Sequence, residues 1–120
     1  CLESDAKFIS QFDHIYFVGD SMTRNFYATF VHEISGELPL SCGNLTISSL
    51  VDNIFAQCVQ NDFLISNTTI SRRKCLGHWK CELSEVLKKM TSRSLAIVNV
   101  GVWVNYDWEY YLKIIKEHMK

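Results

Sequence analysis

The chain has 120 residues, 48% of them hydrophobic and 21% charged. This balance belongs to one packed domain and excludes a disordered chain or a pair of ordinary domains. A formal net charge of −1 excludes a general attraction to nucleic acid or anionic lipid. No run of about 18 apolar residues occurs, so no segment reads as a membrane-spanning helix; membrane association is left to sequence outside these residues. In chain order, the first element is His14–Gly19, an apolar run that ends in glycine and reads as a strand buried on both faces. Ser21–Ser35 follows as a helix, with Met22, Phe26, Phe30 and Ile34 near helical spacing and Gly36 as its C-cap. Strands are expected at 45–51 and 63–66, with a short helix at 52–59. Residues 71–81 read as a polar loop bounded by cysteines, in which Arg72-Arg73-Lys74 is a solvated basic run. A short amphipathic helix is expected at 83–90, with Glu82 or Ser84 near its start. Residues 94–101 repeat the opening pattern, a buried strand closing on Gly101. Asp107 caps a last helix whose apolar face is Trp108, Tyr111, Leu112, Ile115 and Met119.

Alternating strands and helices predict an α/β domain over residues 1–120, a parallel sheet with helices on both faces. In such sheets ligands bind beyond the carboxyl ends of the strands. The two strands that end in glycine are therefore the two expected beside the site. The chain opens on Cys1 and closes on a helical stretch without a stop signal, so it is expected to be a piece of a longer protein.

Gly19-Asp20-Ser21 stands at the end of the first strand and the start of the first helix. Glycine permits a sharp turn and close backbone approach. Ser21 then projects from the functional edge of the sheet, where backbone N–H groups at a helix start can stabilise an oxyanion. A serine also needs a base to become a nucleophile. The plainer alternative is that Asp20 or Ser21 only caps the helix. Arg24 lies three residues on, on the same helix face as Ser21, and either holds the turn or a substrate oxygen or is an ordinary exposed arginine.

The stretch Phe17-Val18-Gly19-Asp20-Ser21-Met22-Thr23-Arg24-Asn25 resembles the first block of the SGNH hydrolase superfamily. The closest version is Gly-Asp-Ser-x-x-Arg, which marks the PC-esterase and trichome-birefringence-like group of glycan O-acetyltransferases and esterases. A second stretch, Val98-Asn99-Val100-Gly101-Val102-Trp103, is similar to that group's Asn-x-Gly-His-Trp, with Val102 in the place of histidine. The resemblance covers about residues 15–103. It implies a flavodoxin-like three-layer SGNH fold, present here in part, with Ser21 as nucleophile and Asp20 and Arg24 in support. It further implies an oxyanion hole drawn from the Ser21 N–H, Gly43 and Asn99, no cofactor, and an acyl donor or acylated glycan as partner. The reaction implied is acyl transfer, most naturally acetyl transfer, to water or to a sugar hydroxyl. The group's Asp-x-x-His motif is absent, and none of His14, His32, His78 and His118 fits it. The base is therefore expected beyond Lys120. A non-catalytic secreted glycan-binding module or pseudoenzyme with the same fold is the alternative, and a Gly-Asp-Ser that serves only partner contacts is a third.

Two glycosylation sequons, Asn44-Leu45-Thr46 and Asn67-Thr68-Thr69, accompany five cysteines, Cys1, Cys42, Cys58, Cys75 and Cys81. Together they favour the secretory pathway, in the Golgi lumen or outside the cell. Cys75-x-x-His78-x-x-Cys81 is one ligand short of a closed zinc site, so a local disulfide is expected in preference to a metal. Connectivity stays open, since five cysteines leave one without a partner in the chain. Trp103, Tyr106, Trp108 and Tyr110 form either a sugar-stacking wall or ordinary packing.

Overall fold

The computed structural model describes residues 3–40, 58–77, 80–99 and 108–119. The elements in order are α1 (Glu3–Ser10), β1 (His14–Gly19), α2 (Ser21–Ser35), β2 (Asp62–Ile65), β3 (Thr68–Gly77), β4 (Lys80–Cys81), α3 (Leu83–Lys89), β5 (Ser94–Val98) and α4 (Trp108–His118). They form an α/β structure around a five-stranded sheet of order β2-β3-β1-β5, with β4 paired to β3.

β1 is the centre. Five of its six residues are buried, which explains its unbroken apolar run. It pairs in parallel with β3, from His14↔Thr69 to Gly19↔Lys74, and with β5, from His14↔Ser94 to Val18↔Val98. The sheet is mixed, because β2 and β4 both run antiparallel to β3.

Alternate β1 residues feed two cores. Ile15 and Phe17 join Ile70 of β3, Ile9 of α1, and Tyr27, Val31 and Ile34 of α2. Tyr16 and Val18 join Cys75, Leu83, Val86 and Leu87 of α3, and Tyr111 of α4. Helices therefore cover both faces. Each such side chain removed from water contributes about 1.5–3 kcal/mol before entropy is charged.

This layering fixes where a site can form. The chain passes from β1 to β3 by way of α2 on one face, and from β3 to β5 by way of α3 on the other. β3 and β5 lie on opposite sides of β1. The connection that leaves the carboxyl end of β1 thus runs over one face and the one that leaves β3 runs over the other, and in doubly wound sheets ligands bind beyond the carboxyl ends of the strands.

Several expectations are corrected. Residues 71–81 are not a loop: most of them are β3, the longest strand, and Arg72 and Arg73 pair with Phe17 and Val18 instead of lying in solvent. The strand tolerates its polar residues because they are bonded: Ser71 to His14 and Asp62, and Arg73 to Asp62. The buried stripe of α2 is Thr23, Tyr27, Ala28, Val31 and Ile34, while Met22 and Phe26 are 66% and 57% exposed. A strict spacing of four drifts about 40° per step on a helix of 3.6 residues per turn, so Met22 and Ile34 fall on different faces. β5 ends the strand order and is only half-buried, with Ile97 37% exposed. On α4, Tyr111 is buried and Ile115 packs beside it, but Leu112 and Met119 are exposed.

Other expectations match. The N–H of Gly36 donates to the carbonyl oxygen of His32 at 2.8 Å, and its φ of 77° is the left-handed conformation that suits glycine at a helix end. Glu82 occupies the N-cap of α3, but its carboxylate accepts from the Lys74 N–H at 2.7 Å instead of capping that helix. Cys75 and Cys81 form a disulfide between β3 and β4, and Cys58 is also disulfide-bonded. The strand expected at 45–51 and residues 52–57 of the helix expected at 52–59, together with Gly43, Asn44, Gly101, Trp103, Tyr106 and Asp107, lie outside the described residues, while Val59, expected in that helix, forms a β-bridge with Leu40.

Candidate functional site at the carboxyl end of the central strand

The turn from β1 into α2 is built on three consecutive residues. Gly19 is held between neighbours: a Cβ there would strike the Thr23 side chain and stand 2.7 Å from the Asn99 carbonyl oxygen. Glycine is thus required by close approach. The Asn99 N–H donates to the Val18 carbonyl oxygen at 2.8 Å, extending the β1–β5 ladder by one residue. Asn99 is therefore brought to the same end of the sheet as Ser21.

Asp20 is the N-cap of α2, in extended conformation and 2% exposed. Its Oδ1 accepts from the N–H groups of Met22 at 3.0 Å and Thr23 at 3.4 Å. Its carbonyl oxygen accepts from Arg24 N–H at 3.0 Å. The carboxylate is committed to the helix start, where it also meets the positive end of the helix dipole. Ser21 is the first residue of the helix and is exposed. The capping role expected of either residue falls to Asp20, which leaves Ser21 uncommitted to the cap and exposed.

Arg24 is half-buried one turn further on, its Nε and Nη2 each 3.3 Å from Asn25 Oδ1. Burial holds its pKa below the usual arginine range. A second arginine, unforeseen from sequence, lies on this face. Arg72 is 6% exposed and stands beside Phe17 in register, on the side of the sheet that α2 covers. Its Nε is buried without a hydrogen-bond partner. Burial lowers its pKa first and the Arg24 charge lowers it further, while Glu82, Tyr27 and Asp20 oppose the shift. The same neighbours place its guanidinium near the first turns of α2. The signal for Arg72 in the sequence was its spacing from Ile70, two residues away and therefore on the same strand face.

A second polar cluster lies on the opposite face of the sheet from Arg72. Ser71 Oγ donates to Asp62 Oδ1 at 2.6 Å and lies 2.6 Å from His14 Nε2. Arg73 Nη2 donates to the same Asp62 oxygen at 2.9 Å. The His14 ring stacks on Tyr16 with centroids 3.9 Å apart. Burial pushes the His14 pKa down and the Arg73 charge adds to this, with Asp62 opposing. For Asp62 burial acts upward, but hydrogen bonds from Ser71 and Arg73 carry its pKa below the ordinary carboxylate value. A histidine, a serine and an aspartate thus meet, but Ser71 is 0% exposed and sits between the other two. This is a structural network, because a nucleophile must reach its substrate.

Two of the described histidines stand away from Ser21. His14 opens β1, the strand that Ser21 follows, so about 20 Å of extended chain separates them. His32 is eleven residues along α2, about 16 Å at 1.5 Å per residue, with its Nδ1 buried and unpartnered. His118 is exposed in the last turn of α4, and His78 lies outside the described residues. Among the described residues no group of three or more His, Cys, Asp or Glu side chains is placed to hold a metal ion. No described helix is long and apolar enough to cross a membrane. Comparison with known proteins yields no match, whether to a family model, a curated protein or a solved structure.

Proposed function

We propose that this chain belongs to a serine-dependent acyl esterase or O-acyltransferase of the SGNH type, acting on glycans within the secretory pathway. The carrying observation is the exposed Ser21 at the carboxyl end of the central strand β1, with Asp20 already spent as the helix cap. The flavodoxin-like architecture is part of the proposal and is supported by the parallel trio β3-β1-β5 with helices on both faces.

In this reading Ser21 Oγ attacks the carbonyl carbon of an acyl donor or acylated glycan, the acetyl ester being the first candidate. The bond to the departing alcohol oxygen breaks and an acyl-serine forms. Water then regenerates Ser21 in an esterase, or a sugar hydroxyl does so in a transferase. The oxyanion is held by the Ser21 N–H, with Asn99 and Gly43 as further candidate donors. Arg24 steadies the turn or the substrate. A histidine base remains to be supplied from elsewhere, since His14 is bonded to Ser71 and His32 lies three turns along α2 from Ser21. That same observation favours a second reading, a glycan-binding pseudoenzyme that keeps the turn and lacks the base.

The deciding experiment measures acetyl release from an aryl acetate by the full-length gene product and its Ser21→Ala variant. The catalytic reading expects a loss of about a thousandfold or more. Equal rates in the two would leave the binding-module reading in its place.

A further inference from the structure

Asn67 is the tip of the β2–β3 hairpin. Ile65 and Thr68 are paired across that turn, leaving Ser66 and Asn67 as its two central residues. Ser66 has φ of 54°, the left-handed conformation such turns demand, and both residues are exposed. The next residue anchors the tip: Thr68 is 2% exposed, and its hydroxyl lies 3.0 Å from the Ile9 carbonyl oxygen and 2.7 Å from that of Phe12. Asn67 is therefore an exposed residue on an anchored hairpin tip. Asn67-Thr68-Thr69 is also an acceptor sequence for N-linked glycan. The paired cysteines Cys75–Cys81 and the disulfide-bonded Cys58 belong to the oxidising compartment in which that modification is made.

We infer that Asn67 carries an N-linked glycan, placed at the end of the sheet opposite Ser21. In the transfer step the Asn67 amide nitrogen attacks the anomeric carbon of a lipid-linked pyrophosphate oligosaccharide. A C–N bond forms, the C–O bond to pyrophosphate breaks, and the amide gives up one proton to the transferase. The folded chain then has to leave a bulky polar product in solvent, and an exposed hairpin tip does so. From Thr69 to Lys74, the β3 partners of His14 and Gly19, is five residues, about 17 Å along the strand. A sugar rooted before Thr68 thus leaves the Ser21 end open. The inference goes beyond the acyl-transfer reading and does not depend on it.

The test is to express the full-length gene product in animal cells, release N-glycans with peptide-N-glycosidase in ¹⁸O-labelled water, and map the peptides. The expected result is ¹⁸O-aspartate at position 67, lost in Asn67→Gln and kept in Thr69→Ser, which preserves the sequon. Recovery of the Asn67 peptide wholly unmodified overturns the inference, as does modification confined to Asn44. Because the readout is a peptide mass, its failure is distinct from any failure of Ser21 chemistry.

Discussion

The two polar clusters of the sheet spend their residues differently. In the first, on the face that carries Tyr16, His14, Ser71, Asp62 and Arg73 close on one another through bonds of 2.6–2.9 Å, and the serine among them is fully buried. In the second, at the turn from β1 into α2 and on the face that α2 covers, Asp20 closes the helix, but Ser21 remains exposed and the buried Arg72 keeps an unpartnered Nε. A buried donor without a partner costs about 1–3 kcal/mol, more for a charged group. The first arrangement contributes to stability; the second is the pattern expected of a ligand site. The contrast shows that a serine, a histidine and an aspartate in contact do not by themselves make a reactive site. Position on the sheet and access decide.

Exchanging the roles of the two serines is the strongest way to break the contrast. Ser21→Ala is expected to abolish acyl release, by the factor given above, while moving unfolding free energy by no more than about half a kcal/mol, as exposed sites usually do. Ser71→Ala is expected to do the reverse. It leaves Asp62 and His14 short of a shared partner and lowers stability by about 1–3 kcal/mol in urea denaturation, with acyl release by the folded fraction retained. A Ser71→Ala variant that is fully stable but inactive would invert the assignment of the two clusters.

A smaller effect separates the clusters by pH. His14 has a folded-state pKa below its ordinary 6.5, because burial and Arg73 disfavour the charged ring. The folded state therefore binds fewer protons than the unfolded one just below that value. The associated stability is complete above pH 6.5 and declines as pH falls through the folded-state pKa. Asp62 acts in the same direction further down, where protonation removes the hydrogen bonds that lower its pKa. Urea midpoints measured from pH 8 to 5 are expected to fall for the parent chain and to flatten for His14→Gln. A slope unchanged by that substitution would remove His14 from the account.

Much of this was legible before coordinates. Helix α2 with its Gly36 stop, the strand His14–Gly19 and the short helix α3 followed from period and caps, and spacing offered Cys75–Cys81 as a local pair without settling connectivity. β3 did not, because its polar residues Ser71, Arg72 and Arg73 mimic a loop until their partners at His14, Asp62 and the α2 face are known. The same blindness hid Arg72. Its neighbours Arg24 and Asp20 are about 50 residues away in sequence and meet it only through parallel pairing of β1 and β3. Half-burial of β5 was also invisible, since apolar composition does not say which strand ends a sheet.

The most direct test of the central claim is covalent capture. The full-length protein is treated with a fluorophosphonate, digested, and its serine peptides are mapped by mass spectrometry. The account predicts one adduct, on Ser21, and none on Ser71. Phosphonylation of another serine, or a protein that stays unlabelled under conditions that label a control esterase, would contradict it.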